Sequence, residues 1–253
     1  MNAHPPQRVA QPLPRVKISA EKFLLRRLGQ LLEKEQVCGV NFTRAGYSGA
    51  QKYAIHWTGD QCSCFSEYRA QLAACLSAGL SGVLFMGFDL AGFAGGLPTL
   101  ELYCRSVSLA AFSALMQFHS EPTQGANNDR SPWNMARCMH APWLNAYFRH
   151  YADLRMQLMP YLAAEAHFCA QNARPLMEHL VLDWPGDPAP QACHTQYMLG
   201  RSCWRPPCWR RAHWAAPCTC RQAAGKARDE RRAAFPTQQW TGPALFGQAL
   251  SIV

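Results

Sequence analysis

Short apolar runs alternate with helix-forming stretches through the middle of the chain, and few folds accept that alternation. Residues 37–43, 53–57, 82–88 and 112–118 each read as a buried strand, with a Gly-containing turn at 45–49 joining the first two. Residues 67–80 and 100–111 read as helices between them. An earlier helix is predicted from Ser19, a suitable N-cap, through Lys34, because Phe23, Leu24, Leu28, Leu31 and Leu32 recur at helical spacing. A loop at 120–133 precedes a long helix at 144–171. Strands that are apolar throughout and alternate with helices form a parallel sheet covered on both faces, so the expected class is α/β, either doubly wound or a (β/α)8 barrel.

Polar residues decide between the two. Arg44, Asp60, Asp89 and His119 sit at or just past the ends of predicted strands, the edge where barrel enzymes gather catalytic groups from several strands. A nucleotide-binding doubly wound sheet needs a glycine-rich turn after its first strand. The stretch 92–96 is glycine-rich, but Phe93 interrupts it and no phosphate-binding Lys follows. The barrel is favoured, although the four strands visible are half of the eight it needs.

Composition narrows the class further. With 49% hydrophobic and 16% charged residues, the chain is suited to a packed core. It lacks a run of about 18 apolar residues for a membrane span, and its Pro-rich start is unlike a secretory signal, so a cytoplasmic protein without a membrane partner is expected. Twelve cysteines in so long a chain then read as free thiols. Of the net charge of +9, +7 falls in residues 201–253, which hold nine basic residues against two acids.

Taken singly, the polar residues leave alternatives open. Asp60, after Gly59 and near Trp57, suits a general acid raised by apolar contact, and equally a turn Asp. Asp89, between Phe88 and Phe93, suits a carboxylate that reads ligand hydroxyls or one that caps a loop. His119 is a hydroxyl partner or a structural histidine, and Arg44 a ligand clamp or a rim ion pair. Neither the Cys62/Cys64 pair nor the Cys218/Cys220 pair has zinc-site spacing, and Glu165 and His167 point to different helix faces, so no metal and no cofactor are expected.

In order along the chain stand Phe42-Thr43-Arg44-Ala45-Gly46-Tyr47, Trp57-Thr58-Gly59-Asp60-Gln61, Gly87-Phe88-Asp89-Leu90-Ala91-Gly92-Phe93, Met116-Gln117-Phe118-His119, Arg130-Ser131-Pro132-Trp133-Asn134 and Gln196-Tyr197-Met198-Leu199-Gly200. Together these resemble glycoside hydrolase family 31, retaining enzymes that cleave α-linked sugars, typically as α-glucosidases or α-xylosidases. The resemblance spans residues 37–200. It implies a catalytic (β/α)8 barrel, with Asp60 as general acid and then general base. Arg44, Trp57, Asp89, Phe93 and His119 would surround the terminal sugar of an α-linked oligosaccharide or glycoside. Phe88 departs from the His that many bacterial members carry, which implies altered specificity at most.

A retaining glycosidase needs a second carboxyl about 5–5.5 Å from the first. In the family it is an Asp in a motif ending D-x-N-E on an earlier strand, whereas Glu21, Glu33 and Glu35 are the acids before residue 37 here. The resemblance therefore implies the C-terminal half of a barrel at residues 19–200, after a disordered segment at 1–18, with the nucleophile missing and the N-terminal half of the barrel as a partner. Alone, such a chain is expected to be nearly inactive.

The tail at 201–253 is expected to be irregular. It holds Cys203, Cys208, Cys218 and Cys220 and half of the eight Trp. Cys and Trp codons both begin with TG, so a shifted frame turns each into Leu, Val or Met. Residues 201–222 then back-translate to I-V-L-A-P-P-V-L-E-A-G-A-L-G-R-T-V-Y-L-P-A-G, close to what the family carries after Q-Y-M-L-G. Read this way, the tail's basic charge is accidental and no nucleic-acid partner follows from it. Sequencing the gene tests this: the string is expected in a shifted frame just after Gly200, and its absence from every frame removes the reading.

Overall fold

The computed structural model describes Gln30, Leu31 and Lys34, then residues 42–44, 49–53, 55–120, 128–191, 193, 196–201 and 203–205. The chain divides into two compact units, Met1–Gly39 and Val40–Val253. Within the first, Gln30, Leu31 and Lys34 are helical, as expected; the rest of that helix, the segment 1–18 and the tail beyond residue 205 lie outside the described residues.

The second unit is an α/β structure. Its first sheet is parallel in the order β1 (Phe42–Thr43), β2 (Ile55–Trp57) and β3 (Phe85–Gly87). Phe42 pairs with Ile55 and Ile55 with Phe85, so the three strands start at one level and end within one residue of each other. A fourth parallel neighbour is a single bridge, Asp89 to Gln117, where sequence predicted a strand over 112–118. That segment instead begins as turns, with Ser113 Oγ donating to the Ala110 carbonyl at 2.8 Å.

Helix α1 (Phe65–Leu80) buries Tyr68, Gln71, Leu72, Cys75, Leu76 and Gly79, the i, i+3, i+4 spacing of one helical face. Helix α2 (Leu100–Ala110) starts where Thr99 Oγ1 accepts the Leu102 amide at 3.2 Å, and every residue from Leu102 to Ala110 is buried. Residues 132–138 were expected partly as loop and form helix α3 (Pro132–Cys138), since a proline in the first turn costs a helix no hydrogen bond. Helix α4 (Leu144–Asn172) matches expectation and crosses the unit. Its Arg155 donates to the carbonyls of Ala111 and Ala114 at 3.1 and 3.0 Å, capping chain that has just left α2.

A second sheet was not foreseen. It is antiparallel, in the order β4 (Met177–His179), β5 (Tyr197–Leu199) and β6 (Cys203–Arg205). All residues of β4 and β5 are buried, so neither shows the polar/apolar alternation that marks a half-exposed antiparallel strand. The boundary expected at Gly200 falls inside a hairpin, and the first residues of the tail are extended rather than irregular. Glu165 on α4 accepts the Arg201 amide at 2.9 Å and pairs with its guanidinium at 2.9 Å. Among the described residues no helix is long and apolar enough to cross a membrane.

The two sheets share one core. Tyr197, fully buried, donates its hydroxyl to the Phe112 carbonyl at 2.8 Å, and the Leu176 amide donates to the Leu84 carbonyl at 2.9 Å. Tyr197→Phe keeps the ring and removes one donor from a buried carbonyl. It is expected to lower unfolding stability by about 1–3 kcal/mol, read from urea denaturation. An unchanged midpoint would mean that this bond does not help join the sheets.

Candidate active site

The residues expected to surround a sugar lie at or past the ends of the parallel strands. Arg44 follows β1, Trp57 ends β2 with Asp60 three residues on, and Asp89 stands two residues beyond β3. The ladder continues upward as the Thr58 amide donates to the Gly87 carbonyl at 3.0 Å and the Leu90 amide to the Gln117 carbonyl at 3.0 Å. His119 stands two residues past that last bridge. In extended chain, alternate side chains share a face, which puts His119 on the side of Gln117.

The side chains meet in two groups. Arg44 Nη1 lies 3.1 Å from Asp60 Oδ2, with the arginine side chain 63% and the aspartate 33% exposed. Gly59 makes this turn possible: its φ of +88° belongs to the left-handed region, and Arg44 Nε would lie 3.5 Å from any Cβ placed there. The second group is aromatic. Trp57 stacks on Phe42 at 6.1 Å, meets Phe93 edge-on at 6.2 Å and tilts against His119 at 6.3 Å. Phe93 and His119 close the group at 4.9 Å.

Asp89 is the buried acid of this edge. It is fully buried, Gln117 Nε2 donates to its Oδ1 at 2.8 Å, and its Oδ2 has no hydrogen-bond partner among the described residues. Burial pushes its pKa above the ordinary carboxylate value. The Gln117 bond and the charges of His119 and Arg130 pull down against this, while the charge of Asp60 adds to the rise. A buried acceptor without a donor is costly, so a hydrogen-bond donor brought to this oxygen would be favoured.

Sequence reasoning assigned no role to the residues that hold this edge in place. Gln117 lay in a quoted motif, two residues before His119, and that spacing was its only signal. Gln71 on α1 donates to Gln61 Oε1 at 2.8 Å, and Gln61 Nε2 donates to the Thr58 carbonyl, bracing the Asp60 turn. The Gln61 carbonyl accepts the amides of Phe93 and Ala94 at 2.8 and 3.0 Å, joining the Asp60 loop to the Phe93 loop. Arg130, fully buried, donates to Ser63 Oγ at 2.8 Å and to the carbonyls of Ala94 and Gly96 at 3.1 Å. Gly92, with φ +96°, lets the two loops touch: a Cβ there would stand 2.9 Å from Ser63 Oγ. No cluster of three or more His, Cys, Asp or Glu suited to a metal occurs among the described residues.

Residues 23–165 match the model of the glycosyl hydrolases family 31 TIM-barrel domain, more than half of the chain. The chain belongs to glycosyl hydrolase family 31. It is 40% identical over 163 residues to an isomaltosyltransferase of Sporosarcina globispora, covering 64% of this chain and 15% of that protein. A 1,3-α-isomaltosidase of Kribbella flavida is 38% identical over 177 residues, covering 69% of this chain and 24% of the relative. The structure of a cycloalternan-degrading enzyme from Trueperella pyogenes in complex with isomaltose superposes with a TM-score of 0.72 at 37% identity, over 75% of this chain and 27% of that one. The chain thus spans about a quarter or less of these curated relatives' length.

The raised pKa of Asp89 makes stability depend on pH with a definite sign. Below its ordinary value the carboxyl is protonated in both folded and unfolded chains. As pH rises the unfolded chain ionises first, so folding loses stability until the buried carboxyl ionises as well. Asparagine keeps the shape and the acceptor for Gln117 but does not titrate. Asp89→Asn is therefore expected to gain stability relative to the parent chain as pH rises from about 4, read as urea midpoints across a pH series. A difference that stays constant across the series would overturn the burial argument.

Proposed function

We propose that this chain carries the acid/base half of a family 31 barrel and binds the terminal glucosyl unit of an α-linked oligosaccharide of isomaltosyl type. The partial barrel is supported by β1, β2, β3 and the Gln117 bridge, four parallel neighbours in order with the site residues past their ends. The isomaltosyl preference is supported by the names of the relatives above, in two of which the substrate term is isomaltosyl or isomaltosidase.

The observation that carries the reading is the Oδ2 of Asp89, without a hydrogen-bond partner among the described residues, at the strand edge that also carries the Trp57, Phe93 and His119 rings. A sugar hydroxyl supplies the donor that oxygen lacks, and a pyranose ring supplies C–H faces for the aromatics. Arg44 and His119 would read further hydroxyls. Asp60 would protonate the glycosidic oxygen as the bond to the leaving sugar breaks, and then draw a proton from the incoming water. The covalent step in between belongs to a second carboxylate. The residues before 37 contain no Asp, so this chain by itself is expected to hold sugar rather than turn it over.

Isothermal titration with isomaltose tests the site. Asp89→Ala is expected to weaken binding about 10- to 100-fold, the loss of a hydrogen bond to a buried charged group. Asp60→Asn should bind within a few-fold of the parent chain, and release of nitrophenol from an aryl α-glucoside should stay near background for both. Equal isomaltose affinity in the parent chain and Asp89→Ala would reject the assignment.

A further inference from the structure

The loop between Asp60 and α1 carries two exposed free thiols, Cys62 and Cys64, which sugar handling does not use. The Cys64 amide donates to the Cys62 carbonyl at 2.9 Å, closing a three-residue turn centred on Ser63. Such a turn brings its end residues within the Cα separation of about 4.4–6.8 Å that a disulfide spans. In the reduced chain the sulfurs face different neighbours. Cys62 Sγ packs over Gly95, 3.7 Å from where a Cβ would stand there, and Cys64 Sγ lies 3.1 Å from Ser66 Oγ.

We infer that Cys62 and Cys64 form a dithiol switch that exchanges with small disulfides and loosens the Phe93 side of the sugar site. The Cys62 thiolate attacks one sulfur of a disulfide such as oxidised glutathione, forming a mixed disulfide and releasing one glutathione thiolate. The Cys64 thiolate then attacks the Cys62 sulfur, forming the Cys62–Cys64 bond and releasing the second. Two protein thiols are oxidised, one small disulfide is reduced to two thiols, and the protons lost by the cysteines pass through solvent to the released glutathione thiolates.

Closing the bond draws Cys62 off Gly95 and Cys64 off Ser66. Ser63 lies between them and is held by Arg130 Nη2 at 2.8 Å, so the turn cannot relax freely towards solvent. The distortion passes instead to neighbouring Gln61, whose carbonyl binds the Phe93 and Ala94 amides. Cys62 is also bridged directly to Ala94. Phe93 is the ring in contact with both Trp57 and His119, so its displacement opens the aromatic wall.

The switch rests on the sugar-binding reading for its consequence but not for its chemistry, and two measurements separate them. After oxidised glutathione, the peptide holding both cysteines should lose two hydrogens by mass, and amide exchange at Phe93 and Ala94 should accelerate. Dithiothreitol should reverse both. Isomaltose affinity should fall about 3- to 10-fold, the worth of an aromatic contact. The C62S/C64S double variant should bind isomaltose like the reduced chain and ignore glutathione. No oxidation of this peptide, or oxidation with unchanged exchange at Phe93 and Ala94, overturns the switch. Failure of the reduced chain to bind isomaltose overturns the sugar reading and leaves the mass and exchange results to decide the switch.

Discussion

The loops around the site converge on one buried cation, the guanidinium of Arg130. Stripping water from such a group costs several kcal/mol unless fixed acceptors replace it. Here they are Ser63 Oγ, the carbonyls of Ala94, Gly95 and Gly96, and the carbonyl and side-chain oxygen of Asn128. No two of these three stretches are adjacent in sequence, so the charge is satisfied only when all are in place. Lysine keeps the charge but not the planar fork of donors, and so cannot reach them together. The loop that carries Phe93 is thus held by a residue 37 positions further along the chain.

Below this staple, the parallel register fixes the level at which each side chain emerges. Because Trp57 pairs with Gly87, the residues just beyond them leave the sheet together. Gly87 itself has to be small, since a Cβ there would stand 2.5 Å from Leu115 Cδ1. Close packing at that point brings the segment of Gln117 against Asp89. Backbone pairing and the Gln117 side chain then act on the same carboxylate.

The strand ends were legible in the sequence because a parallel sheet buried on both faces forces apolar runs, and charged residues at or just past each run mark where it leaves the core. Arg44, Asp60, Asp89 and His119 were found that way, and the structure brings them to one edge. Gln117 and Arg130 were not, because their roles depend on partners 28 and 67 residues away, a relation that spacing does not encode. The antiparallel sheet was hidden for the opposite reason. In Met177–His179 even Glu178 is buried, neutralised by Arg174 at i−4 rather than by exposure, so no alternation survives to be read. Residues 112–118 misled because an apolar run cannot by itself distinguish a strand from turns packed against a core.

The two carboxylates differ in freedom, and the difference supports the roles proposed for them. Asp89 is held by Gln117 and fully buried, so its carboxylate has little freedom to turn. A group so confined suits recognition, where a fixed acceptor selects the hydroxyl that fits. Asp60 is one-third exposed and paired with an arginine that is itself mostly in water. An ion pair of that kind is worth no more than about 1 kcal/mol and breaks readily. A residue that must give up a proton and later take one back needs access to water and a partner that can yield. Of the two, Asp60 has both, and the buried acid has neither.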